Sequence, residues 1–155
     1  MSAKIELIPI GTVTGGRADM RDDGWADEHA LIVLDDRFDS AVLAGLDQFS
    51  HALILFQLHK VALEKIVTGA RHPRNNPSWP KVGIFAQRAK NRPNRLGVST
   101  CKIKGVEGRA LKVSGLDAID GSPVLDIKPY MKGFDPQEPV TEPDWASDLM
   151  RGYWK

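Results

Sequence analysis

Leu96-Gly97-Val98-Ser99-Thr100-Cys101-Lys102-Ile103-Lys104-Gly105-Val106, then Glu107-Gly108, then Arg109-Ala110-Leu111-Lys112-Val113-Ser114-Gly115-Leu116, is the stretch that decides the fold. Residues 98–103 alternate with the period of two that a pleated strand imposes. Two extended segments meet at Glu107-Gly108, so the stretch reads as a β-hairpin. C-terminal to it, residues 117–123 read as a turn and residues 124–129 as a further strand. On the N-terminal side, residues 87–95 are irregular, basic and interrupted by Pro93. Residues 82–86 read as a short strand. Residues 68–81 read as a loop on Gly69, Pro73, Asn75, Asn76, Pro77 and Pro80.

The remaining segments complete the pattern. Residues 51–61 form a long apolar run, expected as a central strand buried on both faces. Residues 40–46 are a short helix candidate with Ser40 as N-cap. Residues 29–34 read as a strand. Residues 17–28 are polar and charged, with Trp25 the only aromatic group. Residues 4–13 are β-branched and apolar; Pro9 and Gly11 mark an edge strand or a bulge. Residues 135–143 are extended, and 145–154 read as a short terminal helix. About seven strands against two short helices imply a mainly all-β chain, a small single β-barrel with short peripheral helices. The expected organisation is one domain over residues 1–155, with the barrel in 1–135 and a tail with a short helix in 136–155. No G-x-G-x-x-G lies between a strand and a helix, so the usual dinucleotide fingerprint is missing.

Composition narrows the function classes. The net charge is +1, which gives no global bias toward polyanions. Arg71, Arg74, Lys81, Arg88, Lys90, Arg92 and Arg95 nevertheless cluster in one stretch poor in acids. That cluster is either a solvated basic face or a polyanion contact. Cys101 is the one cysteine, in a strand, and reads as a small buried hydrophobe. No apolar stretch approaches the ~18 residues of a membrane span. Lys4 and Glu6 stand where a signal peptide would be apolar, so the expected location is cytoplasmic. His51 and His59 are expected on one strand face but too far apart to share a metal, and His29 and His72 add no ligand spacing, so no metal site is expected.

Four segments combine polar groups with apolar surroundings. They are Phe49-Ser50-His51 leading to Leu58-His59-Lys60, Gly83-Ile84-Phe85-Ala86-Gln87-Arg88 with Asn91-Arg92-Pro93-Asn94, Leu96-Gly97-Val98-Ser99, and residues 115–130. Arg88 and Arg92 supply fixed donors for a carboxylate or phosphate. Gly97 would let a neighbour pack against the backbone. Asp117 and Asp120 flank an Asp-Gly turn, where carboxylates either bond their own backbone or accept from a ligand.

These segments resemble the TrmO (YaeB-like) family of S-adenosylmethionine-dependent tRNA N6-methyltransferases. The resemblance runs through Pro9-Ile10-Gly11, Leu46-Asp47-Gln48-Phe49-Ser50-His51, Lys81-Val82-Gly83-Ile84-Phe85-Ala86, Arg92-Pro93-Asn94, and Asp120-Gly121-Ser122-Pro123-Val124-Leu125-Asp126-Ile127-Lys128-Pro129-Tyr130. It implies a small β-barrel that binds S-adenosylmethionine, usually as a homodimer. It implies methyl transfer to N6 of threonylcarbamoyladenosine at position 37 of tRNA. By motif position, cofactor contacts fall on His59, Lys60, Arg88, Val98, Ile119, Asp120, Gly121 and Ser122; a further contact from the loop after the first strand is placed on Asp23, Gly24 and Trp25. Arg88 suits the carboxylate of S-adenosylmethionine, and Asp120 its ammonium or ribose. Backbone groups at Val98 and Ile119 can read the adenine edge. Trp25 or Phe85 can stack on the adenine or face the sulfonium. Arg92, Asn94 and Arg95 are the candidate tRNA contacts. Asp126, Lys128 and Tyr130 are candidate catalytic groups only, because methyl transfer from an activated donor needs position more than a base.

The chain departs from the family pattern in three places. The usual Ala-Thr-Arg-Ser-Pro reads Ala86-Gln87-Arg88-Ala89-Lys90, which keeps the arginine and loses the hydroxyls. The usual Arg-Pro-Asn-Pro reads Arg92-Pro93-Asn94-Arg95, adding a charge. The chain is also expected to be a short form lacking the further small domain of many relatives. A methyltransferase of the same fold with another small-molecule or RNA substrate, or a non-catalytic S-adenosylmethionine-binding module, are the competing readings.

Overall fold

The computed structural model describes residues 2–155. Among the described residues, eight strands form in chain order. They are β1 (Gly11–Thr14), β2 (His29–Leu34), β3 (His51–Gln57), β4 (Ala70–Arg71), β5 (Val82–Gly83), β6 (Leu96–Glu107), β7 (Ala110–Ser114) and β8 (Pro123–Pro129). One α-helix, α1 (Asp144–Met150), follows near the C-terminus. Six strands close into a barrel in the order β1-β2-β7-β6-β3-β8, and β4 pairs with β5 in a small separate ladder. All pairings are antiparallel.

Period-two alternation fills the interior. Val13, Ile32, Leu34, Ala52, Ile54, Phe56, Cys101, Leu111, Val113 and Val124 point inward and are buried. Leu43 and Leu46 join the same cluster from the segment between β2 and β3, and Leu116 and Ala118 join it from the turn after β7. Burial pushes the Cys101 thiol up to about 12, which keeps it protonated and unreactive, as a small core hydrophobe.

The hairpin that anchored the sequence reading is present as β6 and β7, with Glu107 opposite Ala110. It carries a register shift between Ile103 and Gly105, a bulge that bends β6 as the barrel curves. Several sequence expectations need correction. Residues 4–9 are not in a strand: the first ladder begins at Gly11, and Pro9 has no N–H to offer. Strand β3 stops at Gln57 and is fully buried on alternate residues only, because the outer face of a barrel meets no second layer. His59 therefore lies beyond the strand and does not share a face with His51. The expected helix at 40–46 is a 3₁₀ turn over Ser40–Leu43, capped by Asp39, whose Oδ1 accepts from Ala41 N–H at 2.8 Å. Residues 84–86 leave the expected strand as another 3₁₀ turn.

Gly97 shows why this fold fixes its sequence locally. It lies opposite Phe56 across the β3–β6 ladder. A Cβ there would sit 2.5 Å from Phe56 Cζ, and Phe56 is buried. The neighbour that packs against the Gly97 backbone is thus the core ring itself. Gly97→Ala is expected to destabilise the fold by about 1–3 kcal/mol through overpacking. Denaturant titration checks this, and combining it with Phe56→Leu should recover part of the loss.

Candidate functional site

The turn between β7 and β8 is stitched to the start of the chain. Asp120 N–H donates to Arg17 O (2.8 Å), Gly121 N–H to Val13 O (2.7 Å), and Val13 N–H to Ser122 O (2.9 Å). Asp120 Oδ1 in turn accepts from Gly15 N–H at 2.8 Å. Ser122 is buried, and its N–H and hydroxyl both donate to Ile119 O. Residues 119–122 are therefore held rigidly against the loop that leaves β1. The Asp117–Asp120 ambiguity divides here: Asp120 caps Gly15 with one oxygen, whereas Asp117 Oδ2 accepts from the Tyr153 hydroxyl. Asp117 Oδ1 is buried without a partner among the described residues.

The loop after β1 is organised by a buried cation that sequence reading did not single out. The Arg17 side chain is 3% exposed and pairs with Glu28 through Nε at 3.0 Å. Its terminal nitrogens donate to Arg21 O, Asp23 O and Gly24 O. Its guanidinium lies 3.8 Å over the Trp25 ring. Such a group is tolerated inside only because its donors are satisfied. The result wraps residues 17–25 around one point. Trp25 is buried, with Nε1–H donating to Asp22 O, so its face belongs to Arg17. Phe85, 78% exposed, is the candidate ring with open surface. Gly24 takes φ = 83°, the left-handed region that suits glycine, and a Cβ there would sit 3.1 Å from Lys155 O. The Asp23 carboxylate pairs with Arg74, Nη2 to Oδ1, at 2.9 Å.

The chain's last residues reach this loop. Tyr153 O accepts from Gly24 and Trp25 N–H (2.8 and 3.0 Å), and Trp154 O accepts from Ala26 N–H (3.2 Å). Burial first, then the Asp117 charge, holds the Tyr153 hydroxyl far above its usual pKa, so it stays a donor.

His59 and Lys60 follow β3; His59 reaches the same turn, whereas Lys60 is exposed. A Cβ on Gly121 would lie 3.6 Å from His59 Nε2. Arg88 Nη2 donates to Val98 O at 2.8 Å from an exposed side chain, leaving its other donors outside that bond. Gln87, the departure from the family's threonine, is buried and donates from Nε2 to Arg71 O and Val82 O, tying the β4–β5 ladder to Arg88's segment.

The remaining candidates are placed differently. Arg92 Nη1 donates to Gln87 O (2.6 Å), and Arg95 Nη1 to Val61 O (2.8 Å), so both act as backbone clamps. Asn94 is exposed with φ = 64°. Asp126 and Lys128 pair with each other at 3.0 Å along β8, and Tyr130 OH donates to Asp135. At ~3.3 Å per residue, they run away from the 119–122 turn rather than into it. No group of three metal-ligating side chains is assembled among the described residues.

Burial first, then the Lys60 charge and more weakly Arg95, lowers the His59 pKa, while the Gln57 backbone and, less, Asp120 oppose them. A histidine with a lowered folded pKa takes up fewer protons folded than unfolded in the window below 6.5. Stability attributable to His59 is therefore present above 6.5 and falls as pH drops through that window. His59→Gln is expected to flatten the dependence of Tm on pH there, measured by differential scanning fluorimetry between the parent and the variant.

Comparison with known proteins fits this geometry to a family. The family described as "tRNA-methyltransferase O N-terminal domain" matches residues 20–136. The human protein named "tRNA (adenine(37)-N6)-methyltransferase" is 45% identical over 101 residues, covering 65% of this chain and 22% of the relative. A "Probable S-adenosyl-L-methionine-binding protein" of Methanothermobacter thermautotrophicus is 36% identical over 137 residues, covering 85% of this chain and 94% of the relative. The solved structure of TrmO from Pseudomonas aeruginosa superposes with a TM-score of 0.70 at 30% identity, over 90% of this chain and 62% of that one. The chain thus spans about a fifth of the human relative's length and under two thirds of the solved protein's. With the residues 20–136 match at its centre, this chain belongs to the TrmO family.

Proposed function

We propose that this chain binds S-adenosylmethionine and transfers its methyl group to N6 of threonylcarbamoyladenosine at position 37 of tRNA. The observation that carries the reading is convergence: the 119–122 turn bonds Val13, Gly15 and Arg17, Arg17 bonds the carbonyls of Asp23 and Gly24, and His59 Nε2 lies beside Gly121. The human relative is named for N6 of adenine 37 in tRNA, and the archaeal one for binding S-adenosylmethionine.

The residues present suit that cofactor. Arg88 has donors beyond its bond to Val98 for a carboxylate. Asp120 keeps Oδ2 outside its bond to Gly15, for an ammonium or ribose hydroxyl. His59 Nδ1 is buried without a partner among the described residues, a mark of a polar group awaiting a ligand or water. Phe85 offers its open ring to the adenine or the sulfonium. When bound, S-adenosylmethionine supplies a methyl group already activated on sulfur. The chain's own work is then positional: the 119–122 turn and the Arg17-centred loop orient and desolvate, and no proton acceptor is assigned. Asp126, Lys128 and Tyr130 stay secondary candidates for moving a proton.

Because Arg92 and Arg95 are spent on carbonyls, tRNA contact rests more on exposed Lys60, Lys81 and Asn94, with Arg92 and Arg95 shaping the face. The assembly we infer is a homodimer, supported by exposed Ile5, Leu7, Ile8 and Phe134; the compartment we infer is the cytoplasm, where a tRNA substrate would be met. We further divide the chain into a barrel, 1–135, of which Met1 lies outside the described residues, and a tail, 136–155. Analytical ultracentrifugation tests the dimer; a monomer at micromolar concentration defeats it.

Calorimetry with S-adenosylmethionine and a methyl-transfer assay on tRNA bearing threonylcarbamoyladenosine test the activity. Arg88→Ala should weaken cofactor binding by roughly 1.5–3 kcal/mol, the range for a charge-assisted bond. The affinity for tRNA should fall steeply with salt. Cofactor binding without transfer to tRNA would favour another acceptor or a non-catalytic module.

A further inference from the structure

The final residues of the chain have a place in the site that the family reading does not give them. Residues 153–154 run across the loop after β1, accepting hydrogen bonds from the backbone of Gly24, Trp25 and Ala26. Tyr153 sends its hydroxyl the other way, to Asp117 Oδ2 in the β7–β8 turn. One residue therefore bonds both walls of the site: its carbonyl holds residues 24–25, and its side chain holds the turn that continues into residues 119–122. Gly152 lies close to the Asp23 carboxylate, and Lys155 O lies against Gly24, so the segment is fitted along the loop rather than touching it at one point. Asp117 is only partly buried as a residue, yet its Oδ1 is sealed from solvent and lacks a partner among the described residues. A tyrosine donating its hydroxyl there fixes the carboxylate and offsets part of the hydration it loses on burial.

We propose that Tyr153 is a positioning residue for the cofactor: the C-terminal strap clamps the 24–26 loop to the Asp117 turn and sets the width of the site between them. The proposal rests on the S-adenosylmethionine reading above. It makes Tyr153 act through Gly24, Trp25 and Asp117, without touching the cofactor's reacting atoms.

The test measures S-adenosylmethionine binding by calorimetry together with hydrogen–deuterium exchange at the amides of residues 24–26, in the full chain. In the parent, the cofactor should slow exchange at those amides; unchanged exchange in a parent that binds the cofactor overturns the proposal. Tyr153→Phe should speed exchange there and raise the cofactor Kd about tenfold, the scale of one lost hydrogen bond. Ser147→Ala, which removes the Ser147–Glu142 bond in the same C-terminal segment, should change neither. Asp117→Asn keeps an acceptor for Tyr153, so exchange should stay slow and Kd should change less than about twofold. A Kd lost as fully in Asp117→Asn as in Tyr153→Phe, with exchange still slow, would make Asp117 a direct ligand contact and overturn the positioning role. Parent affinity retained in Tyr153→Phe also overturns it. A parent that binds no S-adenosylmethionine defeats the functional reading instead, a result distinct from these.

Discussion

Closure of the barrel by β8 is the constraint on which the rest of this structure depends. Strand β8 pairs with β1 on one side and β3 on the other, so it joins the first strand of the chain to the middle of it. An open sheet would leave two edges of unpaired backbone donors and acceptors; closure removes them and buries one face of every strand. The turn entering β8 cannot be placed independently of that closure. Its backbone bonds run to Val13 and Arg17, so forming the seam and forming the 119–122 turn are one event. The candidate site borders that seam.

The loop after β1 solves a different problem. Residues 17–28 lack the apolar content to fold against the core alone. Arg17 substitutes for a hydrophobic nucleus: its planar fork satisfies three carbonyls and a carboxylate while its face covers Trp25. A lysine could not reproduce that geometry, having one ammonium in place of a fork. The same economy recurs at Arg92, Arg95 and Gln87, which hold backbone carbonyls in segments too irregular for a ladder. Much of the basic stretch that looks available for a polyanion is therefore committed to architecture. Membership in the TrmO family fits a design in which polar side chains shape the loops and the barrel supplies rigidity.

The sequence by itself determined the elements whose signals are local. Alternation over 98–103 announced β6, the Glu107-Gly108 pair announced its hairpin, and the 120–130 string announced both β8 and the family. Asp120-Gly121 was readable as a turn because such residues bond their own neighbourhood. What only the tertiary structure decided were the non-local partnerships. Nothing in the local pattern says that β8 returns to β1, that Gly97 is small because Phe56 faces it, or that Tyr153 reaches Asp117. The expected strand at 4–9 failed for the same reason: its β-branched residues suit a strand, but no partner edge is there to pair with them. Arg17 lay hidden among charged neighbours because burial is a property of the assembled loop, not of the residue. Periodicity reports which way a side chain points; only the closed chain reports what it meets.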